Sequence, residues 1–345
     1  MDTEALNAAP YPWYRLREES YDALYISPHM DDAVYSCGGQ IALDRAAGKR
    51  ILIITVFGDG ADSSASPSRT KPLGIFSDYA QRKREERAAV EQLDVDHLWL
   101  NYPDLLVRPK RLAELVRYGL PFVALGPSEL QARLYAALHT LGQRLLAPRG
   151  GMFFPLAIGG HPDHRIVHAV GRTLSADRNT VWFYEDIPYA QVPALRDERL
   201  RHLGLSRPSA AWAAARQAHD FAFAHAPRWQ RPFTLALVAA HALGSRALFR
   251  AFGDKAPTLQ EHDLHERDID SVIDIKVAAM RAYRTQTAFF FPPGDAIYQV
   301  LTRARDRYVE RYWGIAHVGA RIPTDPAHME RESARVDALL RERVR

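Results

Sequence analysis

The sequence predicts an α/β fold, a mostly parallel sheet covered by helices on both faces and interrupted by a helical insertion. Three observations predict it. Short apolar runs recur along the first half of the chain and are near-continuous rather than alternating, as in strands covered on both faces. Segments with the spacing of helices separate these runs. Strand and helix then keep alternating from Ala23 to Glu185, which builds parallel neighbours joined by crossover helices.

The elements follow in order. Ala23 to Ser27 is the first strand and ends in Ser27-Pro28. Ala33 to Gly48 reads as a helix closed by a glycine. Arg50 to Phe57, RILIITVF, is the next strand and completes a β-α-β unit. A loop rich in Gly, Ser, Asp and Pro covers Gly58 to Ser77. Asp78 to Leu93 is a charged helix, His97 to Asn101 a strand, Ser128 to Leu146 an amphipathic helix and Gly151 to Pro155 a buried strand. His164 to Leu174 opens another helix, and Thr180 to Glu185 is another strand. Residues 196–262 lack clear strands and are rich in Ala, Arg and His, so a helical insertion is expected there, a lid or substrate-specificity region, with a small oligomer contact as the rival. Arg267 to Thr285 returns to strand-then-helix, and Ala296 to Trp313 reads as a final amphipathic helix. The expected division is an α/β domain over 1–195 and 263–320, the insertion over 196–262, and a charged helical tail over 321–345.

Composition narrows the function. The single cysteine, Cys37, rules out a disulfide framework or a multi-cysteine metal cluster within the chain, and reads as a small buried helix residue. The net charge of +4 comes from intermixed charges with no basic stripe between aromatics, a poor fit to nucleic acid. Phe233 to Phe249 is broken by His241, Gly244, Ser245 and Arg246, short of the ~18 uninterrupted apolar residues of a spanning helix. With no leader visible at the N-terminus, a cytoplasmic location is expected.

Two short segments carry chemistry. Ser27-Pro28-His29-Met30-Asp31-Asp32, followed by Gly38-Gly39, leaves the first strand. Gly159-Gly160-His161-Pro162-Asp163-His164 leaves the GMFFP strand. Sheets of this kind place reactive groups at the carboxyl ends of their strands, and two adjacent strand ends would bring these loops face to face. Two imidazoles and a carboxylate bind zinc or ferrous iron with positions left open, and a second carboxylate beside them can take a proton from water. The plainer alternative is that His29 and Asp32 cap the following helix, with His161 and His164 as ordinary loop residues.

These segments resemble the PIG-L (LmbE-like) metal-dependent N-deacetylases. The family's H-P-D-D-E stands here as His29-Met30-Asp31-Asp32-Ala33, and its H-P-D-H is matched by His161 to His164. Looser likenesses are Arg82 with Glu85, and the group Lys276, Ala279, Tyr283, Thr285 and Gln286. The resemblance implies a Rossmann-like three-layer fold. It implies that His29, Asp32 and His164 hold Zn2+ or Fe2+, and that Asp31 is the general base for the attacking water. It assigns His161 to the oxyanion and the leaving amine, Asp163 to a hydrogen bond on a histidine, and Arg82, Asp104 and Gln286 to substrate binding. For Arg82 a surface ion pair, and for Asp104 a turn, are equal readings of the residues. Lys276 and Gln286 would order the loops around the site. The activity implied is hydrolytic removal of an N-acetyl or small N-acyl group from an amino-sugar conjugate such as one of N-acetylglucosamine. The alternatives are an amidase for a thiol or natural-product conjugate and a non-catalytic sugar-binding protein. Two departures stand out, Met30 for the proline and Ala33 for the glutamate; the latter is expected to change how His29 or a neighbour is held. His262 and His265 also have the look of a second metal site, at a spacing poor for one helical face.

Overall fold

The computed structural model describes residues 13–14, 16, 19–59, 78–105, 108, 128–176, 180–206, 262–315, 322 and 326–342. Its strands are β1 (Trp13–Tyr14), β2 (Tyr21–Ser27), β3 (Ile51–Asp59), β4 (Asp96–Pro103), β5 (Leu146–Pro155), β6 (Val181–Tyr184), β7 (His262–Asp268), β8 (Arg303–Ala304) and β9 (Arg307–Ile315). Its α-helices are α1 (Asp32–Ala46), α2 (Tyr79–Gln92), α3 (Glu129–Leu145), α4 (Pro162–Leu174), α5 (Pro193–His202), α6 (Ile273–Ala282), α7 (Arg284–Phe290), α8 (Ile297–Val300) and α9 (Pro326–Glu342).

The sheet runs β1-β4-β3-β2-β5-β6-β9-β7, with β8 paired to β9. The run from β4 to β6 is parallel, and β1, β9 and β7 join antiparallel. From β2 the chain builds outward through β3 and β4, then returns to add β5 on the opposite side of β2. The order therefore reverses between β2 and β5, where open α/β sheets leave a crevice. Leu24 and Ile26 of β2 and Leu52 and Ile54 of β3 are fully buried, which explains the unbroken apolar runs. Flanking helices form two packed groups, α1 and α2 against α6, and α3 against both α4 and α9.

Local chemistry sets the helix starts. Ser128 and Gln131 form a reciprocal capping box on α3, and Asp78 caps α2 by accepting from the Gln81 N–H. The Ala33 N–H of α1 donates to Ser27 Oγ at 2.9 Å. The glycine pair within α1 admits its neighbours closely: a Cβ on Gly39 would lie 2.7 Å from two Ile269 carbons. The Gly39 and Gln40 N–H groups donate to the Glu310 carboxylate, which also accepts from Lys276 Nζ at 2.6 Å and the Tyr312 hydroxyl at 2.9 Å. Lys276 is thus a buried ion-pair partner of β9, and Cys37 is buried as expected.

The structure corrects the expected final helix over Ala296 to Trp313. Only Ile297–Val300 is α-helical, and Arg307–Ile315 is the strand β9, held between β6 and β7. Both faces of β9 are covered, with Val309, Glu310, Tyr312 and Trp313 all buried, so two-residue alternation is lost and the spacing mimics a helix. The strand β7 begins at His262, within the range expected for the insertion. It is a charged, exposed edge strand, and such edges carry no apolar pattern. The tail forms a helix over Pro326–Glu342 that docks on α3. Its Glu332 receives Arg133 Nε at 2.6 Å and the Tyr102 hydroxyl at 3.0 Å. Most of the expected insertion, residues 207–261 with Phe233 to Phe249, lies outside the described residues. Among the described residues no helix is long and apolar enough to cross a membrane.

Candidate active site

The loops leaving β2 and β5 meet at the crevice. Asp32 Oδ2 is their common point: it accepts from the His29 backbone N–H at 2.8 Å and lies 3.2 Å from both His29 Nδ1 and His164 Nε2. Asp31 stands at the N-cap of α1, and its side chain makes no capping bond to that helix. The far edge of His29 faces Asp163 Oδ2 at 3.2 Å and Asp104 Oδ2 at 3.8 Å. Nitrogens of His29, His161 and His164 lie within 4.8 Å of one another, and a second such group joins His29, Asp104 and Asp163.

Hydrogen bonds assign the imidazole roles. His161 is the N-cap of α4, and its Nδ1 accepts the Asp163 N–H at 3.2 Å, leaving Nε2–H as an outward donor. Burial and the neighbouring His29 cation push the His161 pKa down to about 3, so the ring is neutral. His164 Nδ1 lies 2.7 Å from Asp186 Oδ1, whose other oxygen accepts from the Ile158 N–H at 3.0 Å. That pair orients His164 and turns its Nε2 toward Asp32. For His29, burial acts downward, but hydrogen bonds to Asp163 and Asp32 prevail and raise its pKa to about 9. Asp31 is raised to about 6, by burial first and the Asp32 charge second, against the pull of Arg82. It is therefore mostly ionised near neutrality and close to the range useful to a general base.

The donor set fits a divalent cation. Asp31, Asp32, Asp104, Asp163 and Asp186 are all buried; among the described residues Arg82 pairs with Asp31 and Asp104, and Arg108 with Asp163. Convergent imidazoles inside an excess of buried carboxylate favour a bound cation.

Arg82 and Asp104 are both buried beside the cluster. Arg82 lies between Asp31 Oδ1 at 3.7 Å and Asp104 Oδ2 at 4.0 Å. Gln286 is placed differently from its expected substrate contact. It is fully buried behind Arg82, and with its amide turned to satisfy both neighbours it donates to Glu85 Oε2 at 2.8 Å and accepts from Arg82 Nε at 3.2 Å. His262 and His265 lie on the exposed edge strand, His265 against Asp263 at 2.6 Å, and join no convergent ligand group among the described residues.

Three residues near the site escaped sequence reasoning. Arg108 pairs with Asp163, Asp186 holds His164, and Tyr189 packs beside His164. Asp186 alone left a signal, an acidic residue at the carboxyl end of TVWFYE. Replacing it, Asp186→Asn, is expected to weaken metal affinity by about 10- to 100-fold with the fold retained, measured by competition with a chelating dye. Unchanged affinity would show that His164 needs no such support.

Comparisons with known proteins bear on this arrangement. Residues 24–175 match the PIG-L family, described as GlcNAc-PI de-N-acetylase. A 2'-N-acetylparomamine deacetylase of Niallia circulans is 26% identical over 186 residues, 49% of this chain and 67% of that protein. One of Streptomyces fradiae is 31% identical over 173 residues, 48% of this chain and 57% of that protein. The match thus spans about two thirds of the first relative and little over half of the second. A solved structure, the A40926 pseudoaglycone deacetylase, superposes with a TM-score of 0.55 at 19% identity, covering 88% of this chain and all of that one, which is a likeness of fold.

Proposed function

We propose, from the match of residues 24–175 to the PIG-L family, that the chain is a metal-dependent N-deacetylase acting on an amino-sugar conjugate. The observation that carries the reading is the meeting of His29, Asp32 and His164 around one carboxylate oxygen, with Asp31 and His161 beside them. Zn2+ or Fe2+ held by His29, Asp32 and His164 would polarise the amide carbonyl and acidify water toward a pKa of ~7. Asp31 takes the proton from the attacking water. The His161 Nε2–H stabilises the developing oxyanion, and its neutral state suits hydrogen-bond donation better than proton delivery. The proton for the departing amine then comes from Asp31, which has just acquired one. Arg82, fixed from behind by Gln286, holds Asp31 and Asp104 in place. The two curated relatives support an N-acetylated aminoglycoside-like conjugate as the substrate class.

The test is acetate release from a panel of N-acetylated amino-sugar conjugates, with and without chelator. Release from at least one member, abolished by chelation and restored by Zn2+ or Fe2+, is expected. No release from any member by metal-loaded protein would overturn the reading.

A further inference from the structure

The loop after β6 carries Asp186 and, three residues on, Tyr189. The Tyr189 ring is fixed from two directions. A Cβ on Gly159 would lie 2.8 Å from its Cδ1 and Cγ, so the glycine, at φ +83°, gives the ring its place. The ring also meets the His164 imidazole edge-on, with centroids 6.0 Å apart. His161 lies at a similar remove from His164, with centroids 5.3 Å apart.

Tyrosine hydroxyls around the sheet fall into two sets: those of Tyr25 and Tyr283 are buried with no hydrogen-bond partner among the described residues, and others are bonded. Tyr21 donates to Asp96, Tyr184 to the Ile26 carbonyl, and Tyr35 is bonded to Thr287. Tyr189 is partly exposed, and among the described residues its hydroxyl has no hydrogen-bond partner. The ring is thus packed on Gly159 and against the His164 imidazole, with its O–H left open on a partly exposed side chain.

We propose that the Tyr189 phenol donates a hydrogen bond to the substrate's amide oxygen as that oxygen becomes anionic, a second donor working with His161. The inference rests on the deacetylase reading. The phenol transfers no proton, and its O–H bond survives the reaction. Such a bond strengthens as charge develops, so it acts on turnover rather than on ground-state binding.

The test is Tyr189→Phe in the metal-loaded enzyme, which removes one oxygen and leaves the ring packed on Gly159. A loss of about 10² in kcat with KM and metal content unchanged is expected, the magnitude of one lost oxyanion donor. Affinity for a methylphosphonamide analogue of the acetamide, a tetrahedral anion, should fall in parallel while affinity for the free amine stays. Unchanged kcat overturns the proposal, as does a rise in KM alone, which marks a ground-state contact. Lost metal also overturns it, because the tyrosine then serves His164. Failure of the deacetylase reading looks different: the wild type itself would then release no acetate from any N-acetylated amino sugar.

Discussion

Asp31→Asn is expected to leave the cation bound and to lower kcat by about 10² or more, the contribution of a positioned general base. The variant is nearly isosteric and isolates the chemistry. Asp32, not Asp31, touches His29 and His164, so the ligand cluster does not depend on the residue replaced. The lost carboxylate is the one facing Arg82 at 3.7 Å, raised by burial to about 6 and so poised to accept a proton. An amide there cannot accept it. Metal content by elemental analysis and kcat on an N-acetylated amino sugar decide the matter together. Full metal with parental turnover would remove Asp31 from the mechanism.

Asp32→Ala empties the site. One oxygen of this side chain accepts from the His29 backbone and lies against both imidazoles, so its loss would remove a proposed ligand and the point on which the two loops converge. The expected drop in metal affinity exceeds the ~10²-fold upper range for a supporting residue such as Asp186, with activity lost in step. Circular dichroism guards against the trivial outcome of unfolding. A folded Asp32→Ala protein that keeps its metal would move the cation to another ligand group, His29 with Asp104 and Asp163 being the alternative in reach.

The centre of the site was legible because its residues come in two short words. Each of His29 to Asp32 and His161 to His164 leaves a strand end, and the sheet order sets those ends side by side. The two departures from the family pattern take their own local contacts. Met30 is buried beside Gly58, and the Ala33 N–H finds Ser27, while His29 is held by Asp32 and Asp163. What stayed hidden acts singly and at long range. Asp186 and Tyr189 are isolated letters with no spacing to betray them, and Gln286 shows its place behind Arg82 only once α7 is packed. Glu310 reads as a surface charge until Lys276 and the α1 backbone are seen around it, which is also why β9 passed for a helix.

The most direct measurement is anomalous diffraction from crystals of the metal-loaded protein at the edge of the metal it carries. A single peak is expected within bonding distance of His29, Asp32 and His164, with Asp31 left outside the coordination sphere. A peak centred elsewhere, or a cation bound by Asp31 itself, would contradict it.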